Sequence, residues 1–253
     1  MNTTKHAILA LTSITGLGLL AGTADAALIG HWKFDGNLTD SVGSLDATAV
    51  GDAAAGTTNG NIGGAISFDG VDDAAFIASS VISGAEFSIS FWEFSPADAT
   101  VASGYMLAAG SGGVGYDEIY LRRFGSDSYA GAVSADFPGL GEAVVSRGVW
   151  HHSLVTHTAS GGGTTTWYVD GALTLTQTGD TWTTLNNNLY LGNRENLARD
   201  FEGLLDDLQV YDETLTLADA AFLTANPGSV VPEPTTTALL GLGGLALIFR
   251  RRN

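Results

Sequence analysis

The sequence predicts an all-β sandwich or barrel. Three observations carry this: short runs in which apolar and polar residues alternate, frequent turn clusters of Gly, Ser, Thr, Asp and Asn, and only one short stretch with helix signals. In residues 28–35, alternation puts Leu28, Trp32 and Phe34 on one face and His31, Lys33 and Asp35 on the other. Residues 87–91 alternate in the same way. Residues 166–169 do so too, and run into Asp170-Gly171, a strong two-residue hairpin signal. Residues 187–192 and 204–211 supply late strands. Thr216 and Asp219 then form a capping box, with Asp in place of Glu, and the helix they open stops at Asn226-Pro227-Gly228. Gly- and Ala-rich residues 47–64, 108–115 and 160–164 read as loops, and no repeat or second domain is evident.

Both ends stand apart from this body. Lys5 and His6 precede an apolar stretch at 7–22, and Ala24 and Ala26 form a small-x-small pattern, which reads as a secretory signal cut after Ala26. At the other end Pro232-Glu233-Pro234 leads into an apolar run and then Arg250, Arg251 and Arg252. The run at 234–249 is 16 residues, short of the roughly 20 that a spanning helix wants. The arginines would hold the C-terminus in the cytoplasm. A transient stop in the membrane is expected, with a permanent anchor as the alternative. The predicted organisation is a signal at 1–26, one domain at 27–228 and a sorting tail at 229–253.

Between residues 27 and 230 six basic residues face 25 acidic ones, a net charge of −19. Such a domain repels nucleic acid and anionic lipid but suits divalent cations. With no cysteine, disulfides and thiolate metal sites are excluded.

Catalytic signatures are missing. No run of alternating carboxylates occurs, and Asp117, Glu118 and Glu142 are isolated, so the domain is expected not to be an enzyme. His151, His152 and His157 invite a metal reading, but the strand period favours a packed His152 and a semi-exposed His151. Strand alternation places Asp206 with Leu204, Leu208 and Val210, and Asp207 with Gln209 on the other face. A carboxylate on an apolar face must be hydrogen-bonded, paired or bound to a metal. Among the aromatics, Trp32 and Trp167 are expected in the core. Trp92, Trp182, Tyr105 and Tyr116 are the candidates for stacking on sugars, with Tyr129 at a loop or strand end.

Several blocks in order resemble the laminin-G-like, concanavalin A-like jelly-roll family: "LIGHWKFDGNLTDSVG", "GGAISFDGVDDAAFI", "FSISFWEFSP", "GVWHHSLVTHTASGGGTTTWYVDG" and "FEGLLDDLQVYDETLTLADAAFL". The resemblance implies two packed antiparallel sheets, with the final strand returning beside the first. It also implies a structural Ca²⁺ near those strands, for which Asp206 leads as a ligand, with Asp35 and Asp69. The alternative is that Asp206 only accepts backbone N–H bonds. The tail is similar to the PEP-CTERM sorting signal, which an exosortase cleaves at the inner membrane of Gram-negative bacteria that make extracellular polysaccharide. Together these imply an exported, non-enzymatic protein of the cell surface or extracellular matrix, carbohydrate-binding or adhesive. A purely structural surface protein and a polysaccharide-active glycosidase or lyase are the alternatives.

Overall fold

The computed structural model describes residues 27–82, 84–101, 103–109, 119–125, 128–133, 141–179 and 188–232. The alternating runs become strands β1 (Leu28–Trp32), β2 (Thr48–Val50), β3 (Ala54–Ala55), β4 (Ile66–Asp69), β5 (Ala74–Ile77), β6 (Phe87–Phe94), β7 (Ser103–Ala109) and β8 (Ile119–Phe124). There follow β9 (Ser128–Val133), β10 (Gly141–Val144), β11 (Trp150–Thr158), β12 (Thr164–Val169), β13 (Ala172–Thr178), β14 (Leu189–Leu191) and β15 (Glu202–Tyr211). One sheet runs β13-β12-β11-β6-β15-β4-β3, and the other β10-β9-β8-β7-β14-β5-β2. All pairs are antiparallel, and β15 is flanked on one side by β6. On its other side β4 pairs its first half (Leu205↔Ile66) and β1 its second (Leu208↔Trp32), so the last strand does return beside the first.

The core lies between the sheets. Trp32, Phe87, Ile89, Phe91, Trp167, Leu205, Leu208 and Val210 meet Met106, Leu107, Ile119, Leu121, Leu189 and Leu191 from the other layer. The indoles of Trp32 and Trp167 keep partners: Trp32 Nε1 donates to the Leu45 carbonyl at 2.9 Å and Trp167 Nε1 to Ser153 Oγ at 3.3 Å. The Asp170-Gly171 turn joins β12 to β13 with φ of 50° and 76°, the positive pair a tight hairpin needs.

Helix α1 (Leu217–Ala225) is capped as the sequence predicts. Asp219 N donates to Thr216 Oγ1 at 3.3 Å, and Thr216 N donates to Asp219 Oδ2 at 2.8 Å. Ala220 and Leu223 pack with Leu154, Tyr211 and Leu215 on the outer face of the first sheet.

Two β-bulges change the faces that simple alternation predicts. In β1 the register shifts between Leu28 and Gly30, so Leu28 joins the helix cluster instead of sharing Trp32's face. In β15 Asp206 opposes Trp92 while Gln209 opposes Ser90, three residues spanning the distance of two, and Asp207 takes up the extra residue at φ 50°. Leu205, Leu208 and Val210 therefore face the core, and Asp206 is separated from Leu208 and Val210.

A polar chain ties the segment after α1 to these strands. His31 Nε2 and Asp207 Oδ1 lie 2.5 Å apart, and Asp207 Oδ2 accepts from Gln209 Nε2 and Gly228 N, each at 3.1 Å. Gln209 Nε2 also donates to the Ser229 carbonyl at 3.0 Å. Tyr211 OH donates to Gln209 Oε1 at 2.5 Å and accepts from Val231 N at 3.2 Å. At the other end Ala27 N donates to Asp212 Oδ1 at 3.0 Å.

Among the described residues, no helix is long and apolar enough to cross a membrane. The expected signal at 1–26 and the tail residues Glu233, Pro234, Arg250, Arg251 and Arg252 lie outside them, and Pro232 is the exposed last residue described.

Candidate functional site

Two of the three acids proposed as metal ligands come together under the loop at 56–65. Asp206 Oδ2 accepts from Ile62 N at 2.9 Å and Asp35 Oδ1 from Gly64 N at 2.6 Å. Asp206 is buried at 1% exposure, whereas Asp35 is exposed. Burial, with Asp207 and Asp35 nearby, pushes the Asp206 carboxyl up to about 7. The loop is glycine-rich because space is lacking: a β-carbon on Gly64 would collide with the Gly56 carbonyl oxygen and come within 2.7 Å of that of Phe34. One on Gly60 would meet the Gly64 carbonyl and stand 2.7 Å from Asp206 Oδ2. The oxygens named here, carboxylate and carbonyl, are of the kind Ca²⁺ takes as ligands.

Asp69 lies elsewhere, in an acidic cluster with Asp72 and Asp73 whose ligand atoms fall within 4.8 Å of one another. Its geometry is that of a turn: Asp73 accepts from Asp52 N at 2.7 Å and Asp69 N at 2.9 Å, and Asp69 accepts from Val71 N at 2.8 Å.

The aromatic candidates divide. Trp92 is nearly buried, its ring 5.2 Å from that of His152. Tyr116 and Trp182 lie outside the described residues, as do the side chains of Tyr129 and Glu142, and Asp117 and Glu118. Tyr105 sits near the start of β7 and belongs to a group that sequence reasoning missed. On β8, Ile119 and Leu121 enter the core, so Tyr120 between them faces outward. The same parity turns Ala108, Tyr190 and Phe76 outward from β7, β14 and β5. Register aligns them in one row across four strands, Phe76↔Tyr190↔Ala108↔Tyr120, about 14 Å long at ordinary strand spacing. Ring centroids are 5.7 Å apart for Phe76 and Tyr190, and 5.2 Å for Tyr105 and Tyr120. Phe76 and Tyr190 are half-buried, while Tyr105 and Tyr120 are covered. The alternations 75–77, 119–122 and 189–191 carried the signal strand by strand.

The histidines sit as strand parity predicts. His152 is buried, its ring nitrogens 2.8 Å from Ser90 Oγ and 2.9 Å from Thr224 Oγ1, and burial pulls its pKa down to about 4. His151 Nδ1 lies 2.7 Å from Asp170 Oδ2, a contact that raises the imidazole's pKa. Glu93 is fully buried and pushed up to about 7, with Arg123 of the other sheet at 3.4 Å. Its pairing makes it a tie between the two sheets.

Two antiparallel sheets packed face to face, with β15 returning beside β1, define a jelly-roll domain of the lectin type. The chain belongs to the concanavalin A-like lectin/glucanases superfamily, whose Laminin_G_3 model matches residues 69–221, more than half of its length. The PEP-CTERM protein-sorting motif matches residues 230–252 and implies processing by an exosortase and export. No curated protein sequence matches the chain. Among solved structures, domain 4 of AbnA, a GH43 extracellular arabinanase from Geobacillus stearothermophilus in complex with arabinotriose, is similar at a TM-score of 0.63 and 22% identity, over 79% of this chain and all of that one. Trypanosoma rangeli sialidase is similar at 0.61 and 17%, over 78% of this chain but only 32% of the sialidase. The receptor-binding domain of botulinum neurotoxin mosaic serotype C/D matches at 0.59 and 12%, over 79% of this chain and half of that one. At these identities the likeness is one of fold.

Proposed function

We propose that this is a non-enzymatic carbohydrate-binding protein of the cell surface or extracellular matrix, exported on a signal removed after Ala26 and released or anchored through its sorting tail. The observation that carries the reading is the row of aromatic side chains on the outer face of the second sheet, where Tyr190 and Phe76 offer half-open rings to a sugar. The raised carboxyls speak for a binding module: Glu93 is closed off by Arg123, and Asp206 is held by its loop. A glycan array in the presence of Ca²⁺ tests this, with hits expected to weaken strongly for Tyr190→Ala. A blank array, or hits indifferent to that substitution, would sink it. Polysaccharide cleavage would move the protein among the enzymes.

Ca²⁺ belongs to the same proposal. Asp35 and Asp206 would hold it with carbonyls of the 56–65 loop, and its charge would relieve the burial of the Asp206 carboxylate. A chelator should lower the melting temperature, and Asp206→Ala should abolish the effect. A chelator-insensitive melt of the parent protein removes calcium from the account.

A further inference from the structure

The start of β1 is held by an acid that pairs with no side-chain cation. Ala27 N donates to Asp212 Oδ1 at 3.0 Å, and Asp212 N donates back to the Ala27 carbonyl at 3.1 Å, a closed pair of bonds where the chain enters β1 and leaves β15. Asp212 is exposed, and no ion pair among the described residues involves it. Its own stretch of chain supplies no counter-charge: residues 201–230 hold six acids and not one lysine or arginine. A carboxylate in such company is stabilised by any cation brought within hydrogen-bonding distance.

Residue 27 is also the first one beyond the small-x-small pattern of Ala24 and Ala26. Cutting the Ala26–Ala27 bond adds water across it. Ala26 leaves with the new carboxylate, and Ala27 keeps the amine, which takes up a proton at neutral pH. The nitrogen that offers Asp212 one neutral N–H in the uncut chain then becomes an ammonium with three N–H donors and a positive charge. A charge-assisted bond of that kind is about twice as strong as a neutral one. The position leaves no slack. β1 begins at Leu28, which pairs with Tyr211 beside Asp212, so extra residues in front of Ala27 would carry the charge away from the carboxylate. The junction also matters to the rest of the domain. Leu28 packs in one cluster with Tyr211 and Val231, and β1 pairs with β15 and carries His31, the partner of Asp207.

We infer that Asp212 is the receiving site for the amino terminus that signal removal creates: the Ala27 ammonium docks on its carboxylate and fastens β1 to β15 in the cut protein. This rests on the reading of residues 1–26 as an export signal, and adds what the fold does with the cut. The same two residues thus hold a neutral hydrogen bond in the precursor and an ion pair in the mature chain. Maturation tightens the first strand without any change of fold.

Export of the full chain from a Gram-negative host, with mass spectrometry of its amino terminus and amide hydrogen exchange across β1, tests the inference. The exported protein should begin at Ala27. A second chain with Gly-Ser inserted after Ala26 keeps the cleavage pattern and moves the charge two residues outward. Its β1 amides should exchange about two- to fivefold faster than the parent's, the range expected of an exposed ion pair. The difference should narrow in about 1 M salt. Asp212→Asn should bring the parent to the level of the inserted chain and change the inserted chain little, a coupling that simple fraying of the strand would not produce. A protein that begins at Ala27 yet exchanges no more slowly than the inserted chain, or ignores Asp212→Asn, would overturn the capture and leave the export signal standing. A cut at another bond would overturn it as well. A chain that keeps residues 1–26 after export would remove both readings.

Discussion

His152 makes the domain acid-labile in a way that can be isolated. It is buried between Ser90, Thr224 and the Trp92 ring, with the carboxylates of Asp170 and Asp207 contributing attraction that does not offset burial. Its pKa is about 4 folded and about 6.5 unfolded. Because the folded value is depressed, the unfolded chain takes the proton first. The contribution is complete above about pH 6.5 and is lost as pH falls toward about 4. Between about pH 7.5 and 5 that linkage amounts to about 2 kcal/mol, or about 4–8 °C in melting temperature. Glu93 and Asp206, both pushed up to about 7, act with the opposite sign over part of that range. The informative quantity is therefore a difference. Urea unfolding of the parent and of His152→Gln, whose amide can still reach Ser90 and Thr224, should show about 2 kcal/mol less acid loss in the variant. Parallel profiles would refute the assignment of a neutral, buried imidazole.

Three further outcomes follow from named contacts. Arg123→Ala strands the buried Glu93 carboxyl and also empties the bonds to the Val145 and Ser146 carbonyls, and should cost about 3–5 kcal/mol in denaturant unfolding. Thr216→Ala removes the helix cap and should cost about 1 kcal/mol by the same assay. Tyr211→Phe deletes the hydroxyl that bonds Gln209 and Val231, and should speed amide exchange at Val231 while costing about 1–2 kcal/mol.

The elements whose signals are local were legible. Asp170-Gly171 turns as its dipeptide demands, and Thr216 and Asp219 cap α1 reciprocally. Trp32 and Trp167 are in the core, as a two-residue period requires. What was not legible depends on parity and register. A single extra residue inverts every side chain beyond it, so the bulge at Asp207 separated Asp206 from the apolar neighbours that alternation assigned it. Asp35 and Asp69 follow similar Phe-Asp blocks, yet the chain path leaves one under the 56–65 loop and the other at the Asp72-Asp73 turn. The aromatic row escaped notice because its rings come from separate strands. Only pairing across the sheet brings Phe76, Tyr190 and Tyr120 into line.

The hydrogen-bonded chain from His31 through Asp207, Gln209 and Tyr211 reaches Gly228, Ser229 and Val231, one residue short of Pro232. In a chain held by its tail, this network sets the load path. Tension entering at Pro232 passes across these bonds into β15, which is clamped by β6 on one side and by β1 and β4 on the other. Helix α1, though nearer in sequence, is bypassed until the bonds at 228–231 part. The domain is thus gripped through its central strand, and a force applied at the tail would first peel four residues of stem before reaching the fold.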